Sequence, residues 1–200
     1  MAGRIAVLVS GSGSNLQALA GACERGDVPG RIVGVVADRP CGGIEWAASV
    51  NIPDLLLKPA DFENRDDWSA ALRDLVLQLQ PDVVVSAGFM RVLAPVFVDA
   101  FAGRLINLHP SLLPAFPGAH AVHDALEAGV KVTGSTVHFI DHLVDHGPIL
   151  MQEPVRVEPT DSERSLHERI KGVEHAVIPQ AVRLILEGRV RIVDGRTEIS

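Results

Sequence analysis

Asn107 and His109 stand one residue apart at the end of an apolar run, in RLINLHPSLLPAFPG (104–118). On extended backbone, positions i and i+2 project to the same side. Pro110, with its fixed φ, holds His109 to extended geometry. An amide donor beside an imidazole suits acyl transfer, because both can stabilise charge developing on an oxygen; one such donor is worth about 3–4 kcal/mol. Asp145, in VDHGP, is the candidate third member. A carboxylate near His109 would favour the charged imidazolium. The competing reading makes His109 a structural residue and Asp145 a turn residue that bonds its own backbone. Spacing alone does not bring 109 and 145 together, so both readings stand at this level.

A second candidate is GSGSN at 11–15, which follows an apolar run and precedes a helical pattern. Glycine lets backbone approach a ligand closely, and a helix N-terminus offers unpaired N–H groups and the positive end of the dipole. The loop therefore suits a phosphate monoester, with a plain turn or a dinucleotide as alternatives. Leu16 stands where GxGxxG requires its third glycine, and no Walker lysine follows. Asp38 does end the next apolar run, where dinucleotide-binding proteins place a ribose acceptor. His138, His142 and His146 have a spacing that on a helix would read as metal ligands. Their segment is β-rich and ends in Gly147-Pro148, so they are not expected to converge and no metal is expected. His120 and His123 open a helical segment and read as solvated.

Composition limits what these groups can serve. Asp and Glu number 25 against 18 Lys and Arg, a net charge of −7. No basic block is present, so binding to nucleic acid through phosphate neutralisation is not expected. Cys23 and Cys41 form neither a CxxC nor a metal spacing, which fits a reducing compartment. The apolar stretch IAVLV is too short for a leader or a membrane span. The expectation is a soluble cytoplasmic protein folded as one domain over 1–200, acting on small molecules and not on membranes.

The elements that must position the candidates alternate. RIAVLVS, IVGVVAD, PDLLLKP, PDVVVSAGF and RLINLHP read as strands. NLQALAGACERG, GIEWAASVN, RDDWSAALRDLVLQLQ and LAPVFVDAFAG read as the helices between them. Trp68, Leu72, Leu75 and Leu79 are expected to share the buried face of the third helix. Strands apolar on both faces, alternating with helices, predict an α/β fold with a doubly wound, mostly parallel sheet. Ligands then bind beyond the carboxyl ends of the strands, where SGSGSN, ADRP, SAGFMR and NLHPS lie. After Gly118 the pattern changes. HAVHDALEAG reads as a helix, and KVTGSTVHFID and GPILMQEPVRV as two longer antiparallel strands. Thr160 to Glu163 reads as a capping box opening a long helix with Leu166, Ile170, Val173, Val177 and Ile185 inward. That helix is expected to bend at Pro179 and stop at Gly188. VRIVDGRTEI reads as a closing hairpin with an Asp-Gly turn.

Four stretches, in order and across essentially the whole chain, resemble the phosphoribosylglycinamide formyltransferases of the folate-dependent formyltransferase superfamily: SGSGSNLQAL, PDVVVSAGFMRVL, INLHPSLLPAFPG and VTGSTVHFID…VDHGPIL. The resemblance implies a Rossmann-like formyltransferase fold with an antiparallel C-terminal part and a long C-terminal helix. It implies 10-formyltetrahydrofolate as one-carbon donor, no metal, and a place in purine synthesis. By motif it makes Asn107, His109 and Asp145 the catalytic trio. It assigns Gly13, Ser14 and Asn15 to the substrate phosphate, and Glu174 with Lys171 to its glycinamide end. Met90, Arg91, Val92 and Leu93, with Asn107, would line the folate pocket, and Arg65 would lie near the folate tail. Asp141, His142, Leu143 and Val144 would pass the pterin. On this reading 1–103 is mainly the phosphoribosyl half and 104–200 mainly the catalytic and folate half.

Two positions depart from that pattern. Ala115 stands where some members have Lys, and His146 where many have Gly or Thr. The nearest rival is a formyltetrahydrofolate deformylase, whose members usually carry a further N-terminal domain. A methionyl-tRNA formyltransferase is expected to carry a further C-terminal domain and a basic surface. A nicotinamide-dependent oxidoreductase and a non-catalytic nucleotide sensor are the readings from other classes. Monomer and homodimer both remain open.

Overall fold

The computed structural model describes residues 2–200. Seven strands form one sheet: β1 (Gly3–Val9), β2 (Gly30–Ala37), β3 (Asp54–Leu56), β4 (Val83–Ser86), β5 (Leu105–His109), β6 (Val132–Phe139) and β7 (Ile149–Arg156). Their order is β3-β2-β1-β4-β5-β6-β7. The first five run parallel. β6 and β7 are antiparallel to their neighbours. The strand order reverses between β1 and β4, and the loops leaving those two strands diverge there to open a crevice.

Helices α1 (Ser14–Glu24), α2 (Gly42–Ser49), α3 (Arg65–Gln78), α4 (Pro95–Ala100), α5 (Ala121–Glu127) and α6 (Glu163–Leu186) cover the sheet. β1 shows why its sequence is apolar throughout. Ile5, Val7 and Val9 pack on one face with Leu16, Leu19, Ile178 and Val182 of α1 and α6. Ala6 and Leu8 pack on the other with Trp68 and Leu72 of α3, Phe97 of α4 and Phe101 just beyond it.

Three local expectations are corrected. The inward face of α3 is Trp68, Ser69, Leu72 and Val76; Leu75 and Leu79 are only half-buried. Ser69 earns its place by accepting the Ala94 N–H at 3.1 Å. The capping box of α6 is Ser162 with Ser165, two residues beyond the expected pair. Asp161 Oδ1 accepts both from Ser165 Oγ at 2.9 Å and from Arg169 Nη1 at 2.6 Å, bracing the box from outside. Along α6, Val173 and Ile185 are half-buried, whereas Glu174 is buried. The helix runs through Pro179 to Leu186, and Gly188 follows at φ 68°. β8 (Val190–Val193) and β9 (Arg196–Ile199) form the closing hairpin. Asp194 and Gly195, both at positive φ, make the turn that a two-residue hairpin favours.

Candidate active site

A row of polar side chains crosses three strands at their ends. Ser86 of β4 pairs in register with Asn107 of β5, and Asn107 with His138 of β6. Side chains at paired positions share a face, so the three meet. Ser86 Oγ donates to Asn107 Oδ1 at 2.8 Å. His138 Nδ1 lies 2.9 Å from the Phe139 carbonyl, which can only accept, so Nδ1 carries the hydrogen. His138 Nε2 then accepts from Asn107 Nδ2 at 3.2 Å. Asn107 is thereby fixed at both ends of its amide, and its second N–H is left for the cleft.

His109 projects from β5 two residues further on and is almost fully buried. Its Nε2 lies 2.8 Å from the Phe116 carbonyl, and its Nδ1 3.3 Å from Asp145 Oδ2. Both nitrogens thus face acceptors, an arrangement that suits a ring with hydrogen on both. Asp145 is held from the other side by the Gly118 N–H at 2.8 Å. Its other oxygen is 3.6 Å from His138 Nε2. Burial works to raise the Asp145 pKa, but its polar surroundings, the Gly118 N–H and His109 among them, hold the carboxyl below its usual range. Asp145 sits at φ 52° and Phe116 at φ 54°. Such backbone costs about 1–3 kcal/mol and survives only where its surroundings dictate it. The fold therefore brings together the 107, 109 and 145 side chains that sequence spacing left apart.

Two cavities open from this centre. The first encloses about 300 Å³. Met90 to Leu93 line one side and Asp141 to Asp145 the other, with Asn107, His109 and His138 at the floor. Met90, Val92, Leu143 and Val144 are largely exposed, an apolar rim such as a flat heterocyclic ligand would cover. The second cavity encloses about 280 Å³ and is walled by Gly11 to Asn15, Lys171 and Glu174. The cavities share Gly88, Met90, Leu108, Pro110 and Ala119 and so lie side by side. Each takes walls from both the 1–103 and the 104–200 parts of the chain.

In the second cavity Gly13 is the N-cap of α1, at φ 78°, with no side-chain cap on the first turn. A Cβ there would lie 2.5 Å from the Gly43 Cα, so backbone packs on backbone. Asn15 donates from Nδ2 to Glu174 Oε2 at 2.8 Å, while its Oδ1 is buried without a partner. Glu174 is 5% exposed, and its other oxygen lies 3.5 Å from Ser135 Oγ. Lys171 pairs with Glu168 at 2.9 Å.

Some expected residues lie elsewhere or act otherwise. Arg65 stands at the exposed start of α3 against Asp66 and lines neither cavity. Arg91 turns its Nε to Asp38 Oδ2 at 2.6 Å. Asp38 is fully buried under Arg91 and Arg39. Burial would raise its pKa, but Arg39, Ser10 and Arg91 hold the carboxyl below its usual range. It anchors the 88–93 loop and is not free for a ribose. His142 pairs with Asp99 and His146 with Asp141, each at 2.7 Å, while His138 meets the Asn107 amide, so the histidine series does not converge. Among the described residues no cluster of His, Cys, Asp and Glu is arranged to hold a metal. Ala115 contributes backbone alone: its carbonyl accepts from Ser111 Oγ at 2.6 Å and its N–H donates to the Leu112 carbonyl at 3.0 Å. Ser86, His138 and Gly118 were not singled out as parts of the acyl-transfer site. Pairing β5 with β6 would have put His138 opposite Asn107.

The chain matches the formyl transferase family over residues 3–182 and belongs to it. It is 49% identical over 194 residues to the phosphoribosylglycinamide formyltransferase of Mycobacterium tuberculosis, covering 97% of this chain and 89% of that one. It resembles the crystal structure of glycinamide ribonucleotide transformylase 1 from Symbiobacterium toebii at 44% identity and a TM-score of 0.97, covering 98% and 93% of the two chains. A formyltetrahydrofolate deformylase from Pseudomonas syringae pv. tomato also matches in structure, at 29% identity and a TM-score of 0.92; the match covers all of this chain and 66% of that one. Among the described residues no helix is long and apolar enough to cross a membrane.

Proposed function

We propose that this chain transfers the formyl group of 10-formyltetrahydrofolate to the primary amine of 5'-phosphoribosylglycinamide, a step of purine synthesis. The observation that carries the reading is the adjacency of two unlike cavities, one at the glycine-lined, uncapped start of α1 and one at the Asn107–His109–Asp145 centre. The likeness to proteins named for this activity supports it.

Gly13, Ser14 and Asn15 take the phosphate on free N–H groups. Glu174 and Lys171 hold the rest of the ribonucleotide and aim its amine at the junction of the cavities. Met90 to Leu93 and Asp141 to Val144 grip the folate between apolar side chains and loop backbone. As the amine attacks the formyl carbon, Asn107 Nδ2 and a doubly protonated His109 stabilise the oxygen charge that develops. Asp145 holds His109 in that form and relays a proton through water from the attacking amine towards the leaving nitrogen. His138 and Ser86 keep the Asn107 amide the right way round. Arg91 acts on the folate wall through Asp38, and exposed Arg65 meets the folate tail beyond the cavity. The enzyme works in the cytoplasm on small molecules, as a monomer or homodimer in one domain.

The test is formyl transfer from 10-formyltetrahydrofolate, with and without the ribonucleotide, read by absorbance and by formate release. The proposal expects folate deformylation only with the ribonucleotide present, and a formylated product. Formate released without it would favour a deformylase.

A further inference from the structure

The glycine loop supplies N–H groups but no ionisable side chain to its cavity, since residues 11–15 are Gly, Ser, Gly, Ser and Asn. The facing wall is a stripe of α6 formed by Glu163, His167, Lys171 and Glu174. Spacings of four, four and three put them on one helix face. Glu174 is the buried end, tied to Asn15. Glu163 is exposed at the rim, with His123 Nδ1 at 4.0 Å. His167 lies between the rim and Lys171. It is half-buried, and among the described residues neither of its ring nitrogens has a hydrogen-bond partner.

A phosphate dianion in this cavity meets one fixed cation, Lys171, whose charge is already shared with Glu168. We propose that His167 is a further substrate-binding residue, its protonated ring contacting the phosphate held by the glycine loop. The inference rests on the function proposed above. Other ionisable groups facing His167 are Glu163, Glu168 and Lys171 on its own helix, Glu174 at the cavity floor and His120 at the start of α5. Buried Asn15 Oδ1, unpartnered at the same helix start, marks the cavity independently as one made for a polar ligand.

Imidazole gains charge as pH falls across the neutral range, so the contact is pH-dependent where that of Lys171 is not. The experiment measures KM for the ribonucleotide in the parent, His167→Ala and His167→Lys. The Ala variant is expected to raise KM about fivefold at about pH 6.5 and less than about twofold at about pH 8.5. The kcat and the KM for the folate should not move. The Lys variant should keep a low KM at both pH values, which a purely structural role for His167 does not predict. The titration of the phosphate itself, near about pH 6, cancels in the ratio of variant to parent. Equal KM in the Ala variant and parent at the lower pH, or a Lys variant that behaves like Ala, overturns the inference. A parent that does not turn over would instead overturn the function on which it rests.

Discussion

Around Gly13 the cavity wall is backbone packed on backbone, whereas around His109 it is a web of side chains from four segments. The first needs little beyond one turn: two glycines, a positive φ and a helix start. The second draws on β4, β5, β6 and the loop after Phe139. A site made of backbone dipoles can hold a charge but cannot move a proton. A site made of Asn, His and Asp can do both. The division suggests that damage to the two regions should appear in different kinetic constants, and that each region should fail by its own route.

The largest effect is expected from Asp145→Asn. It keeps the shape but removes the charge that faces His109 Nδ1, and kcat should fall by about 10²–10⁴-fold with both KM values little changed. Initial rates with each substrate varied in turn will show this. Replacing Ser14 by Glu should do the reverse. A carboxylate at the start of α1 repels the phosphate, so KM for the ribonucleotide should rise by about tenfold or more while kcat at saturation survives. Unchanged KM there would move the phosphate elsewhere.

Gly13→Ala sharpens the comparison through stability. A Cβ at φ 78° and 2.5 Å from Gly43 Cα must shift backbone, at a cost of about 2–4 kcal/mol. Thermal unfolding should show a clearly lowered midpoint. A midpoint like the parent's would mean the loop is not packed as tightly as described.

The smallest effect is the pH dependence of stability. The folded-state pKa of Asp145 lies below the ordinary carboxyl value of 3.8. Its contribution is therefore present in full above 3.8 and is lost as pH falls through the folded value. Urea unfolding should show the parent losing its advantage over Asp145→Asn only below the ordinary carboxylate range. A loss already visible near neutrality would contradict the sign of the shift.

The two regions also differed in how far the sequence revealed them. The glycine loop is local: GSGSN between an apolar run and a helical one contains its own geometry. The parallel strands were equally legible, because β1 and β4 are buried on both faces and read as unbroken apolar runs. Asn107 and His109 were visible as a pair because strand periodicity places i and i+2 together. Asp145 was suspected but not placed, because its approach depends on how β6 and the loop after it fold back on β5. His138 was taken as one of a spaced histidine series, and only its register opposite Asn107 shows that it holds the amide. Arg91 and Asp38 were read apart, on separate strand ends, and only the β1–β2–β4 arrangement joins them. The start of α6 lies two residues beyond the Thr160–Glu163 pattern because Ser162 and Ser165 cap one another, with Asp161 bonded to both Ser165 and Arg169.

The measurement that goes most directly to the central claim is a single kinetic comparison of Asp145→Asn and Ser14→Glu against the parent, with the ribonucleotide and 10-formyltetrahydrofolate each varied. The account predicts a crossed pattern: kcat lost with KM kept in the first variant, and ribonucleotide KM raised with kcat kept in the second. Loss of the same constant in both variants would contradict it, because chemistry and phosphate binding would then not be divided between the two cavities.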